Sequence, residues 1–170
     1  MCLTAREAHL GIAETEDLCM AQTSCHSYFA ICSSGEIRDG IGFVAAENSY
    51  FDPDDITAKL GIDPFDKKKM GTPRKNGYGH YPFSNWACCR QDEPALDAEE
   101  QCRRIVRLLR PFIPHLQEIK KEYNVDYSII IVPHICNEEN PVLGFDSEII
   151  EFCYETGTEI SVDMYIYDKE

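Results

Sequence analysis

Apolar and polar positions along the 170-residue chain change their period repeatedly, and each change predicts an element. Residues 27–32 (SYFAIC) and 40–46 (GIGFVAA) are aromatic and branched runs bounded by turn residues, which predicts two strands that pair with each other. The glycines of the second run point to a close backbone approach or a bulge. Residues 83–89 predict a further strand anchored by Phe83 and Trp86. A helical period over 95–123 carries Cys102, Ile105, Val106, Leu108 and Leu109 on one stripe and Leu116, Ile119 and Tyr123 on its continuation, with a kink or restart at Pro111 and Pro114. Residues 125–133 (VDYSIIIVP) begin as an alternating strand and become apolar on both faces, so they predict a central strand. After a turn at 137–141, a short helix starts at Asp146 and stops at Gly157. Residues 159–167 then alternate strictly, with Ile160, Val162, Met164 and Ile166 on one face and Ser161, Asp163, Tyr165 and Tyr167 on the other.

The run FDPDDITAKLGIDP over residues 51–64 holds Asp52, Asp54 and Asp55 close together, as a metal site or the start of a helix would. Asp52 precedes Pro53 as an N-cap precedes a first-turn proline, and Asp54 and Asp55 fall where the helix dipole favours negative charge. Ile56 and Leu60 face a core and Gly61 ends the helix. A calcium loop would require a different register, with a central glycine and a distal glutamate. The order of elements predicts an α+β fold: a mainly antiparallel sheet with one long and two short helices packed on one face, a two-layer sandwich related to the ferredoxin-like plan. Residues 1–37 are expected to form an N-terminal extension that could add a strand, and residues 38–170 a single α+β domain.

Charge narrows the function classes. Thirty acidic residues against sixteen basic ones give a net charge of −14, which disfavours nucleic acid and anionic lipid and favours a basic protein partner. The longest apolar runs are too short to span a membrane, and the acidic N-terminal stretch resembles neither a signal nor a transit peptide, so a cytoplasmic location is expected. The nine cysteines are scattered without a C-x-x-C pair, as free thiols in a reducing compartment would be. Cys25-His26 with Cys32, or His80 with Cys88-Cys89, only loosely matches zinc spacing, and neither a metal nor a cofactor is expected. Cys88 and Cys89, as neighbours in a strand, are expected to point to opposite faces.

The run D-P-x-x-I-T-x-x-L-G-I-x-P at 52–64, the lysine- and glycine-bearing turn after it, the lone tryptophan strand, the long helix, and an ending with Gly157, Glu159, Ile160 and Asp163 resemble the bacterial domain-of-unknown-function family 4279. The likeness spans about residues 38–168. It implies a compact cytoplasmic α+β domain without an established activity, and an immunity-like role beside secreted toxins for some members. The cysteine-bearing first 37 residues and the run Lys67–Lys69 depart from the family pattern.

Three functions compete. Catalysis has candidates in Cys25-His26, His80, His115 and His134, but no local motif carries a mechanism around them, and the sequence leans against an enzyme. A protein-binding, immunity-like role would use the acids Asp92, Glu93, Glu99, Glu100, Glu138 and Glu139 against a basic partner. A small anion or nucleotide would use the glycine- and tyrosine-rich loop 67–81, where five of the sixteen bases fall between 67 and 75. Arg74, Lys75, Tyr78, His80 and Tyr81 are its candidate ligands.

Overall fold

The computed structural model describes residues 23–91, 96–136 and 141–167. In chain order its elements are β1 (Ser24–Ser33), β2 (Gly35–Arg38), β3 (Gly42–Ala45), α1 (Pro53–Leu60), β4 (Asp66–Lys68), β5 (Asn85–Gln91), α2 (Ala98–Leu109), a 3-10 turn (Arg110–Phe112), α3 (Ile113–Glu122), β6 (Val125–Cys136), α4 (Ser147–Thr156), β7 (Thr158–Val162) and β8 (Tyr165–Tyr167). The main sheet runs β4-β5-β1-β6-β7, with β8 also on β6. Its pairs are antiparallel except those that β7 and β8 make with β6. All four α-helices lie on one face. Phe29, Ile31, Trp86, Tyr127, Ile129 and Ile131 from the strands meet Ile56, Leu60, Ile105, Leu109, Leu116, Ile119 and Phe152 from the helices in a single core. This is the expected two-layer α+β sandwich. Among the described residues no helix is long and apolar enough to cross a membrane.

Two details depart from the sequence pattern, in the hairpin and in the last strand. The strand expected to pair with the first one, at 40–46, pairs instead with β2 in a separate two-stranded hairpin. Both edges of β1 are taken by β5 and β6, so no position is left for it. Gly35 serves that hairpin, because a Cβ there would meet the Phe43 ring and the Val44 carbonyl oxygen at 2.4 Å. The long helix restarts at its prolines as expected, as two helices with the 3-10 turn holding Pro111 between them. The last strand is in one unbroken register with β6, since Val162 faces Ile131 and Tyr165 faces His134, yet it is interrupted between them. Pro133 of β6 lies opposite the gap and has no N–H to give the neighbouring strand.

The aspartates of 52–55 start α1. The Asp52 carboxylate accepts the Asp54 N–H at 3.1 Å, and Gly61 closes the helix at φ 63°. Lys69 reaches Asp52 and Lys67 reaches Asp54 at 2.5 Å, so the lysines that follow the helix neutralise its first turn. The Lys69 ammonium, then the Asp54 amide, hold the Asp52 carboxyl below its usual range. A folded pKa below the unfolded one contributes stability above the unfolded value, near pH 4, and that contribution is lost as the pH falls through the folded pKa. Asp52→Ala is therefore expected to cost about 1 kcal/mol at neutral pH and less at about pH 3, by urea denaturation at both pH values. An equal cost at both would show that the carboxylate's charge does not contribute.

Candidate functional site

The basic segment 67–81 is built as a strand followed by a hairpin. Lys67 and Lys68 belong to β4 at the sheet edge. Beyond them the Gly71 N–H donates to the Tyr81 carbonyl at 2.8 Å, the Tyr81 N–H to Thr72 at 2.9 Å and the Arg74 N–H to Gly79 at 3.0 Å. This ladder brings Arg74, Lys75, His80 and Tyr81 together: Arg74 Nε donates to the His80 carbonyl at 3.2 Å, and the Lys75 N–H to the Tyr81 hydroxyl at 3.2 Å. Tyr78 stands at the tip, 82% exposed. An open cleft of about 550 Å³ runs beside the hairpin between Thr57, Asp63, Phe65, Asp66, Lys67 and Lys75. Its lysines already have carboxylate partners, Asp54 for Lys67 and Asp66 for Lys75 at 3.4 Å, so an anion entering it would compete with fixed negative charge.

The predicted acidic positions divide. Asp92, Glu93, Glu138 and Glu139 lie outside the described residues. Glu99 and Glu100 sit in the first turn of α2 and turn inward along it to Arg103. That guanidinium holds Glu99 at 2.7 Å, Glu100, and Asp146 at the N-cap of α4 at 2.8 Å. Asp146 first, then Glu100, push Arg103 further toward its charged form, and Arg103 in turn holds Glu100 low. Farther along, Arg107 of α2 reaches Glu148 at 3.3 Å and Arg110 of the 3-10 turn reaches Glu151 at 2.6 Å. The arginine face of α2 is thus an electrostatic seam to α4. Glu118, Glu155 and Glu159 are exposed and, among the described residues, make no ion pair.

On the helix-free face of the sheet, alternate residues line up as rings. His134 lies between His26 at 5.6 Å and Tyr165 at 5.2 Å, and its Nδ1 is 3.0 Å from the Tyr167 hydroxyl. Beyond them Tyr28 and Phe65 meet in a T-shaped arrangement at 5.3 Å, and the Arg90 guanidinium lies over Phe65. The sequence signal was available in the i, i+2 spacing of His26 with Tyr28 and of Tyr165 with Tyr167, but their convergence across three strands depends on register. The loosely spaced zinc candidates separate. Cys25 points into the helix-side core, while Cys32 is on the opposite face and donates to the Asn85 side-chain oxygen at 3.1 Å. Among the described residues no group of three or more His, Cys, Asp and Glu side chains is arranged to hold a metal ion.

The two sheet edges differ. The β4 edge is three residues long, charged and ion-paired, the kind of edge that resists addition of another strand. At the other edge the Asp163 N–H donates to the Ile131 carbonyl at 2.9 Å, so strand alternation turns the backbone groups of Ile160, Val162 and Ile166 away from β6. Among the described residues no strand covers them. Val162 is 44% exposed, Met164 47% and Ile166 66%, and Ile150 and Tyr154 on α4 are also exposed.

No curated protein and no solved structure matches the chain. The family described as Domain of unknown function (DUF4279) matches residues 23–167, a span that takes in β1 as well as everything after it. The chain belongs to that family.

Proposed function

We propose that the chain is a non-catalytic binding domain that acts in the cytoplasm on a basic protein partner, in the manner of an immunity protein. An extended segment of the partner would add to the edge formed by β7 and β8. The observation that carries this reading is the asymmetry of the two edges: β4 is short, charged and closed, whereas β7 and β8 offer outward backbone groups beside exposed Val162, Met164 and Ile166. Charge selects the partner. Glu155 and Glu159 are exposed next to this edge, Asp163 lies within it, and a chain of net charge −14 draws cationic segments by long-range attraction.

Val162→Pro tests the edge, because the N–H it removes faces outward and no bond within the sheet is lost. In titration calorimetry with a synthetic peptide alternating lysine and valine, binding to the wild-type chain is expected to weaken with added salt. It should fall at least about tenfold in the variant, roughly 1.4 kcal/mol, with the melting temperature retained. Binding unchanged by Val162→Pro or insensitive to salt would overturn the reading. Stabilisation by inorganic polyphosphate instead, lost in Arg74→Ala, would place recognition on the hairpin at 71–81.

A further inference from the structure

Cys88 and Cys89 are adjacent in β5, where pleating would send their side chains to opposite faces. They do not separate. Along the pairing of β1 with β5, Phe29 lies opposite Cys88 but Ser27 lies opposite Gln91, so β5 carries one extra residue. Cys89 takes up that residue with φ 57°, a left-handed conformation that a bulge usually gives to glycine. The turn brings its side chain back toward its neighbour, and the two Sγ atoms stand 3.2 Å apart. Cys88 is fully buried, while Cys89 is half-buried at the margin of the same core.

We propose that Cys88 and Cys89 form a dithiol oxidation site that closes to a vicinal disulfide on reaction with a hydroperoxide. The geometry divides the roles. Cys88 donates its S–H to Cys89, which lowers the Cys89 pKa and raises that of Cys88. Burial pushes Cys25 and Cys153 up to about 11 and Cys102 up to about 12, which keeps those thiols protonated and unreactive at neutral pH. The Cys89 thiolate attacks the peroxide, the O–O bond breaks, and the departing oxygen takes a proton and leaves as an alcohol or water, giving a sulfenic acid. The Cys88 sulfur then attacks Cys89, the S–O bond breaks, and hydroxide leaves as water with the Cys88 proton. Two thiols supply the two electrons that reduce one peroxide. The sulfurs need close only from 3.2 Å to about 2.05 Å. Adjacent Cα atoms are about 3.8 Å apart, below the usual disulfide range, so the bond formed is an easily reduced one.

The test treats the reduced full-length chain with equimolar hydrogen peroxide, blocks the remaining thiols with an alkylating reagent, and maps the peptides by mass. The peptide holding Cys88 and Cys89 is expected to escape alkylation, to weigh two hydrogens less than its reduced form, and to return with dithiothreitol. It should oxidise at least about tenfold faster than the peptides holding Cys25, Cys102 or Cys153. Cys89→Gly, which suits the left-handed position and should fold, is expected to abolish the fast reaction. In Cys88→Ser the reaction should stop at an oxidised Cys89 without the bridge. A wild-type pair that is alkylated at both thiols after peroxide, or one carried to sulfinic acid at Cys89 without loss of the two hydrogens, would overturn the proposal.

Discussion

Trp86→Ala is expected to lower the stability of the domain by about 3–5 kcal/mol, the cost of emptying a large aromatic from a packed interior. Trp86 is the only tryptophan in the chain and is fully buried at the junction of the sheet with α1. Its indole N–H donates to the Thr57 hydroxyl at 3.0 Å, and that hydroxyl donates to the Pro53 carbonyl at 3.1 Å, so the ring also ties the first turn of α1 to β5. Trp86→Phe keeps most of the apolar volume and loses the donor, and it should cost markedly less than the alanine change. Urea unfolding followed by far-ultraviolet circular dichroism measures both variants, because the fluorescent reporter itself is removed. A cost below about 1.5 kcal/mol for Trp86→Ala would mean that the neighbouring side chains collapse into the space, contrary to the close packing of this core.

What the sequence announced was local. Asp52 with Gly61 and Asp146 with Gly157 bracket α1 and α4 as read from the chain, because a cap involves only residues a few positions apart. The alternation of 159–167 also held, and it even sorts the edge: the residues whose side chains lie with Ile160 are the ones whose backbone turns outward. What was hidden is what depends on pairing between distant segments. The break in the last strand is made by Pro133, on another strand. The opposite-faces expectation for Cys88 and Cys89 failed because the register of β1 inserts a bulge there. Part of the positive charge in segment 67–75 is spent on Asp52, Asp54 and Asp66, and Arg103, Arg107 and Arg110 find Asp146, Glu148 and Glu151 across a helix interface. Periodicity shows which face a residue takes but not who waits there, so composition overstated how free the bases of 67–75 would be. The strand at 24–33, expected as an addition to the fold, lies between β5 and β6 for the same reason.

Gln101→Leu is the second change expected to have a large effect, and its logic is the opposite of the tryptophan's, since volume is kept and polarity is lost. Gln101 stands on the apolar stripe of α2 beside Cys102 and Ile105, buried, at a position where the helical period predicts a hydrophobic residue. Its Nε2 donates to the Cys25 carbonyl at 2.7 Å, and its Oε1 accepts the Ser27 hydroxyl at 2.8 Å. The need arises in the sheet. Among the described residues the pairing of β5 with β1 reaches Gln91 opposite Ser27, and the Cys25 carbonyl lies beyond it on that side of β1, where the Gln101 amide donates to it. Leucine would take the amide donor from a buried carbonyl and the amide acceptor from a buried hydroxyl, at about 1–3 kcal/mol each, so a loss of about 2–5 kcal/mol is expected. Ser27→Ala removes one of the two stranded groups. Combined with Gln101→Leu it should therefore cost less than the sum of the two single changes, by about 0.5–3 kcal/mol in a double-mutant cycle. Strict additivity would show that the side chain acts through packing alone. A coupling of that size would show instead that a glutamine on an apolar helix stripe serves the polar groups of β1, and that these two hydrogen bonds register α2 on the sheet.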